Sequence, residues 1–283
     1  MWQRRWHSEM SGERPTLIPS GSSRSPVGLA DLEDTPDLYV LGELSSNPGV
    51  AIVGTRRCTR YGIELAEGFG AAMARSGWTT VSGLARGVDT AAHRGALRAR
   101  GHTVAVLGSG IDVCYPSENR SIYEEILGTG GAIVSEYSPG TPPARWRFPA
   151  RNRIIAAMSA AVVVVEAART GGALITARLA AEVGRPVFAV PGDVDRVASV
   201  GCNLLLRDGA HPVLGPDDLV EELGLILGPP SAGSANPEIP ASGMNIDELV
   251  EAWGIPAAEA LARVSGLEMT GKLRRDGGRV FPA

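Results

Sequence analysis

An aromatic ring stands beside a run of guanidinium groups at Phe148-Pro149-Ala150-Arg151-Asn152-Arg153, and a glycine turn, Thr170-Gly171-Gly172, follows the apolar run Ala161 to Val165. Together these residues could grip a phosphodiester strand. Arginine pairs phosphate oxygens in a planar fork, backbone N–H groups at a helix start attract an anion, and the ring offers a face to a base. Arg145, Trp146 and Arg147 enlarge the same surface. Two more turns carry similar chemistry. Gly54-Thr55-Arg56 follows a β-branched run, with Arg57 and Arg60 close by, and Ser82-Gly83-Leu84-Ala85-Arg86-Gly87 puts glycines on either side of Arg86 just before the helix start Val88-Asp89-Thr90. Each feature also has a plainer reading, as a tight turn, a capped βα loop, a solvated arginine pair or simple N-capping.

The elements that would hold these turns alternate. Short β-branched runs at Ala51–Val53, Thr79–Ser82, Thr103–Leu107, Ala132–Ser135, Ala161–Val165 and Val187–Val190 read as strands. Helical spacing of apolar residues marks Gly62–Arg75, Val88–Arg100, Ser117–Leu127, Arg151–Met158 and Gly172–Val183. Continuous apolar strands between helices predict an α/β fold with a mainly parallel sheet covered on both faces. In such sheets ligands bind beyond the carboxyl ends of the strands, and all of the polar turns fall on that one rim.

Composition removes several kinds of chemistry. The only lysine is Lys272, so a phosphate-cradling lysine and a lysine Schiff base are excluded from the main domain, and the P-loop pattern is absent. Gly54-Thr55-Arg56 lacks the later glycines of a dinucleotide fingerprint. The three cysteines are scattered and the four histidines form no metal-binding pattern, so neither a disulfide framework, a metal nor another cofactor is expected. A net charge of −4 means that any nucleic-acid site is local. No apolar run is long enough for a membrane span, and Met1–Met10 has no apolar signal core, so the chain reads as a soluble cytoplasmic protein.

Residues 1–36, rich in Ser, Pro and Gly, read as a mobile leader; 37–227 as the α/β domain that carries the rim; 228–243 as a linker; and 244–283, with helix signals at Ile246–Trp253 and Ala257–Val264 before a Gly-turn hairpin, as a winged-helix-like module. Arg274, Arg275 and Arg279 would let that module bind duplex DNA, while its six acidic residues fit a protein partner equally well. Asn203-Leu204-Leu205-Leu206 is either an apolar interface or a buried helix.

These segments in order resemble the DNA-processing protein A family (DprA, also called Smf). The resemblance rests on Val50–Arg56, Ser82–His93, Ala105–Pro116, Phe148–Ala156, Gly172–Ala177, Ala189–Gly192, Gly201-Cys202-Asn203 and Asp208-Gly209-Ala210, and covers roughly residues 37 to 226. It implies an extended Rossmann-like domain that binds single-stranded DNA without sequence preference, forms a homodimer and loads the RecA recombinase in natural transformation or related recombination. It also implies that Arg56, Phe148, Arg151, Asn152 and Arg153 bind DNA, supported by Gly83, Arg86 and Gly87 of the second turn and by Thr170, Gly171 and Gly172. Two departures stand out: a helical N-terminal domain found in many members is not evident, and Ala150 occupies a position where another basic residue is common. The expectation is a DNA-binding mediator without catalysis. The alternative is a nucleotide-processing hydrolase of phosphoribohydrolase type, with Glu166 as acid/base; it lacks an activated nucleophile and a paired carboxylate.

Overall fold

The structure is a computed structural model and describes residues 14–230, 239–240, 242–253, 257, 260–261, 264–265, 268 and 273–282. It divides into two compact units between Pro230 and Ser231.

In the first unit the elements run β1 (Thr16–Ile18), a 3-10 turn (Val27–Asp31), β2 (Leu38–Gly42), β3 (Gly49–Val53), α1 (Arg60–Arg75), β4 (Thr79–Ser82), α2 (Val88–Arg98), β5 (Thr103–Val106) and α3 (Arg120–Gly128). They continue with β6 (Ala132–Ser135), α4 (Arg147–Ala157), β7 (Ser159–Val164), α5 (Gly172–Glu182), β8 (Val187–Ala189), α6 (Val200–Arg207), β9 (His211–Pro212) and α7 (Pro216–Leu227). One sheet holds the strands in the order β1-β2-β6-β5-β4-β3-β7-β8-β9. From β6 to β9 every neighbouring pair is parallel, as the buried apolar strands predict. Alternate residues feed two cores: Ala51, Val53, Val162 and Val164 pack on one face of the sheet, and Val50, Ile52, Ala161 and Val163 on the other. The chain winds outward from β3 in both directions, so β3 and β7 flank the point where strand order reverses, the place where such sheets open a crevice. This is an extended Rossmann-like fold.

Two expectations change. The leader read over residues 1–36 is ordered from residue 14: β1 pairs antiparallel with β2, and β2 with β6, extending the sheet edge. Leu29 and Leu38 are fully buried, and Arg185 pairs with Asp31. The Ser/Pro-rich composition hid these short apolar runs because β1 pairs only with β2, whose own partner β6 lies about a hundred residues away; residues 1–13 lie outside the described residues. The helix read from Arg151 begins four residues earlier, at Arg147. Pro149 does not prevent this, because the first helical residues have no intrahelical use for an N–H.

Asn203–Leu206 lies on α6, with Leu205 and Leu206 partly buried against the sheet core, so the buried-helix reading holds for those two. Among the described residues no helix is long and apolar enough to cross a membrane, and no cluster of three metal-ligating side chains occurs.

The second unit contains α8 (Ile246–Trp253) and an antiparallel hairpin, β10 (Leu273–Asp276) and β11 (Arg279–Pro282), around Leu249, Ala260, Val264 and Val280. This helix-and-hairpin arrangement is compatible with the winged-helix-like expectation; much of the segment between them, and Lys272, lies outside the described residues. Its arginines are engaged locally: Arg279 pairs with Glu248 and Arg275 with Glu268, each at 3.2 Å, while Arg274 lies over the Phe281 ring at 4.8 Å.

Candidate nucleic-acid interface

The turns after β3, β4, β5, β6 and β7 lie on one rim, but their arginines have different surroundings. Arg56 is exposed in the β3–α1 turn, with its guanidinium carbon 5.3 Å from the centre of the Phe148 ring. Phe148, on the first turn of α4, stacks in turn on Tyr115 at 5.4 Å. The result is a ladder of Arg56, Phe148 and Tyr115 across the ends of three connections. The Phe148 ring is thus already shared, and Tyr115, 46% exposed, offers the more open surface. Tyr115 was quoted in the resemblance but not assigned to the site; its place after the β5 turn was the available signal.

Arg151 departs from the expectation of a DNA contact. It is only 3% exposed, and its Nη1 donates to the Gly83 carbonyl at 2.8 Å and to the Val106 carbonyl. One helical turn separates it from Phe148, so both lie on the side of α4 that faces the strand ends. The guanidinium lies so close to Gly83 that a Cβ there would overlap it, which is why position 83 has no side chain.

Asn152, also buried, donates from Nδ2 to the Gly172 carbonyl at 3.1 Å and so ties α4 to the glycine turn. Arg153 points elsewhere: it pairs with Glu136 at 2.6 Å and donates to the Asp34 carbonyl at 3.3 Å. These three residues brace the site instead of facing solvent. The helical phase of α4 and the distant carbonyls and carboxylate that meet it decide this, which the residue types alone did not reveal.

The Ser82–Gly87 turn is likewise largely self-satisfied. Asp89 Oδ2 accepts from the Gly83 N–H at 3.1 Å and the Ala85 N–H at 3.3 Å, so those donors are not free for a phosphate. Burial pushes the Asp89 carboxyl up to about 6, while Arg151 and the two amides pull it back. Burial in turn lowers Arg151 to about 10, with Asp89 opposing. Gly87 has φ +80°, a left-handed conformation that favours glycine, and leads into α2. Arg86 is exposed but pairs with Glu118.

The β7–α5 turn keeps its capacity for an anion. Thr170, Gly171 and Gly172 are exposed, and α5 begins without a side-chain cap, leaving the positive end of its dipole toward solvent. Arg169, directly before this turn, is exposed too and was missed in the sequence. Arg56, Arg57, Arg145 and Arg169 form no ion pair among the described residues, although Arg56 is near enough to help pull the Asp89 carboxyl down.

Glu166, the acid/base of the alternative reading, is 5% exposed. Its Oε2 accepts from the Thr59 N–H at 2.8 Å and its Oε1 from the Thr59 hydroxyl at 2.6 Å, and its own carbonyl accepts from the Thr55 N–H. It therefore clamps the β3–α1 turn to the end of β7 and pairs with no arginine. Glu166→Ala is expected to lower stability by about 1–3 kcal/mol through the orphaned Thr59 donors. A thermal unfolding midpoint indistinguishable from the unmodified protein would contradict this clamp.

Comparison with known proteins bears on what such a rim does. Protein Smf from Synechocystis sp. is 46% identical over 197 residues, covering 68% of this chain and 49% of the relative. The chain spans about half the length of the curated relatives it matches. The solved structure of DNA processing protein A from Streptococcus pneumoniae superposes with a TM-score of 0.69 at 38% identity, over 74% of this chain and 75% of that one. The Helicobacter pylori protein, described for its unique single-stranded DNA binding mode, superposes with a TM-score of 0.67 at 30% identity, over 74% and 95%. The family model for DNA recombination-mediator protein A matches residues 16–224, from the first residue of β1 into α7. With the sheet and all of its rim turns inside that span, the chain belongs to the DNA recombination-mediator protein A family.

Proposed function

We propose that this protein is a non-catalytic, cytoplasmic mediator that binds single-stranded DNA without sequence preference along the rim and delivers it, as a homodimer, to the RecA recombinase. The observation that carries the DNA-binding part is the group of exposed guanidiniums outside any described ion pair, Arg56, Arg57 and Arg169, beside the uncapped start of α5 and the Phe148–Tyr115 stack. Phosphates pair with the arginines and helix amides, and bases lie against the aromatic surface, contacts that do not depend on base identity. Family membership supports the recombination role and the hand-off to RecA, and the single-strand binding described for the Helicobacter pylori relative supports the ligand.

Within this reading Arg56 contacts phosphate directly, whereas Arg151, Asn152 and Arg153 hold the turns in place. Titrating oligothymidine at several salt concentrations tests it. Arg56→Ala is expected to weaken binding and to make the log–log salt slope shallower by about 0.7, one phosphate contact. Unchanged affinity together with an unchanged slope would remove Arg56 from the interface.

A further inference from the structure

The β6–α4 connection carries a second aromatic group, separate from the Phe148 ladder. Trp146, at the N-cap of α4, is 64% exposed. Its ring meets Tyr137 edge-on, with centroids 6.3 Å apart and an interplanar angle of 87°. The Arg147 guanidinium lies 4.8 Å from the Tyr137 ring and 4.9 Å from the Trp146 ring, and it also donates to the Pro142 carbonyl.

The loop beneath is anchored on the neighbouring turn. Gly110 donates to the Thr141 carbonyl at 2.8 Å, Gly140 donates to Asp112 Oδ1 at 2.6 Å, and the Tyr39 and Ser138 hydroxyls lie 3.1 Å apart. An indole is therefore held in place by an edge contact and a cation while most of its surface stays open to water. Exposed Arg145 adds a second positive group. Of the nearby acids, Glu136 is engaged by Arg153 and Asp112 by the Gly140 amide.

Resting on the single-stranded-DNA reading, we infer that Trp146 is a second stacking platform, which takes a nucleobase flanking the one at the Phe148–Tyr115 ladder while Arg145 and Arg147 meet the intervening phosphate. Three observations select this occupant. The platform neighbours the ladder without touching it: Trp146 and Phe148 lie two residues apart at the start of one helix, and the loop beneath Trp146 is bonded to the Gly110 turn that leads to Tyr115. Its charge is positive, which complements a phosphodiester. A preordered flat ring presents a π-face to any base, as a strand bound without sequence preference requires.

The chain has five tryptophans, of which Trp78 is buried and out of reach of a ligand on the rim, so in a background with Trp2, Trp6 and Trp253 replaced by Phe intrinsic fluorescence reads this contact directly. Oligothymidine is expected to quench that background protein. Trp146→Phe should lose that quenching while retaining most of the affinity, since it keeps an aromatic face. Trp146→Ala should bind about 5- to 150-fold more weakly, the equivalent of one stacked base, with the salt slope unchanged because no charge is lost.

Full affinity and full quenching in the Trp146 variants, alongside weakened binding by Arg56→Ala, would overturn the platform and leave the rim reading standing. An unmodified protein that does not bind oligothymidine at all would overturn both. A shallower salt slope in Trp146→Ala would show that the residue acts by placing Arg145 or Arg147 and not by stacking, and would likewise overturn the platform.

Discussion

Arg151→Ala is expected to destabilise the first unit by about 2–3 kcal/mol, the loss of a buried charged donor shared by two carbonyls. The side chain spans the ends of two strands, donating to the carbonyl of Gly83 after β4 and to that of Val106 at the end of β5. Asp89 holds the same turn from the other side through the amides of Gly83 and Ala85. For both charged groups burial is the largest influence on ionisation and the partner is a smaller, opposing one. The two groups form no direct ion pair, so their mutual attraction is a modest part of the loss, and most of it comes from the two carbonyls left without this donor.

A double variant, Arg151→Met with Asp89→Asn, should accordingly be more stable than the sum of the two single changes implies, by at least about 1 kcal/mol of coupling. Denaturant unfolding of the four proteins measures it. Strict additivity, or a loss below about 1 kcal/mol in Arg151→Ala, would refute the bracing role. In DNA titrations any Arg151 variant that folds should keep the salt slope of the unmodified protein, unlike Arg56→Ala.

The second large effect is on pH dependence. His93 is fully buried on α2, with Nδ1 2.7 Å from the Thr103 hydroxyl. That hydroxyl donates its one proton to the Thr80 carbonyl at 2.9 Å, so His93 must donate from Nδ1 and its Nε2 carries a bare lone pair, without a partner among the described residues. Burial, assisted by Arg151, lowers the imidazole to about 3 from its usual 6.5. The folded value lies below the unfolded one, so the stability is fully present above pH 6.5 and is lost as pH falls toward 3.

Asp89 acts in the opposite sense. Its folded value, about 6, lies above the ordinary 3.8, so folding takes up a proton there and this contribution grows as pH falls from about 6 toward 4. The two nearly cancel in the unmodified protein over that interval. His93→Gln, neutral at every pH, exposes the hidden slope: the difference in unfolding free energy between unmodified protein and variant should shift toward the variant by about 2–3 kcal/mol between pH 7 and 4.5. A difference that stays flat across this interval would show that His93 is not a buried neutral imidazole.

Much of the fold was legible in the sequence because its signals are local. β-branched runs of strand length, helical spacing between them and glycines at the junctions all report conformation within a few residues, and the six strands and five helices read from these patterns are all present, Thr79–Ser82 and Ala132–Ser135 with the same ends and the others with shifted ones. The missed elements have another origin. β1 and β2 are recognisable only through pairing that ends at β6, about a hundred residues further on, and β9 has just two residues. The site was legible as a rim and as a set of residue types, and less so as a set of roles. Phe148, Arg151, Asn152 and Arg153 looked equivalent as residue types, but on the helix that begins at Arg147 the first meets the rim aromatics, the next two turn inward and the last meets Glu136.

By itself, then, the sequence determined the βα alternation, the common rim and the kind of ligand the rim suits, since periodicity, turn chemistry and charge type are properties of short segments. Only the tertiary structure decided which guanidiniums remain available to that ligand. A positive charge is written into each arginine, but whether it faces water or a carbonyl depends on groups brought from distant parts of the chain: Gly83 and Val106 for Arg151, Glu136 for Arg153, Glu118 for Arg86. Arg56, which forms no ion pair and lies over an aromatic ring, is left facing the solvent from which a phosphate would come.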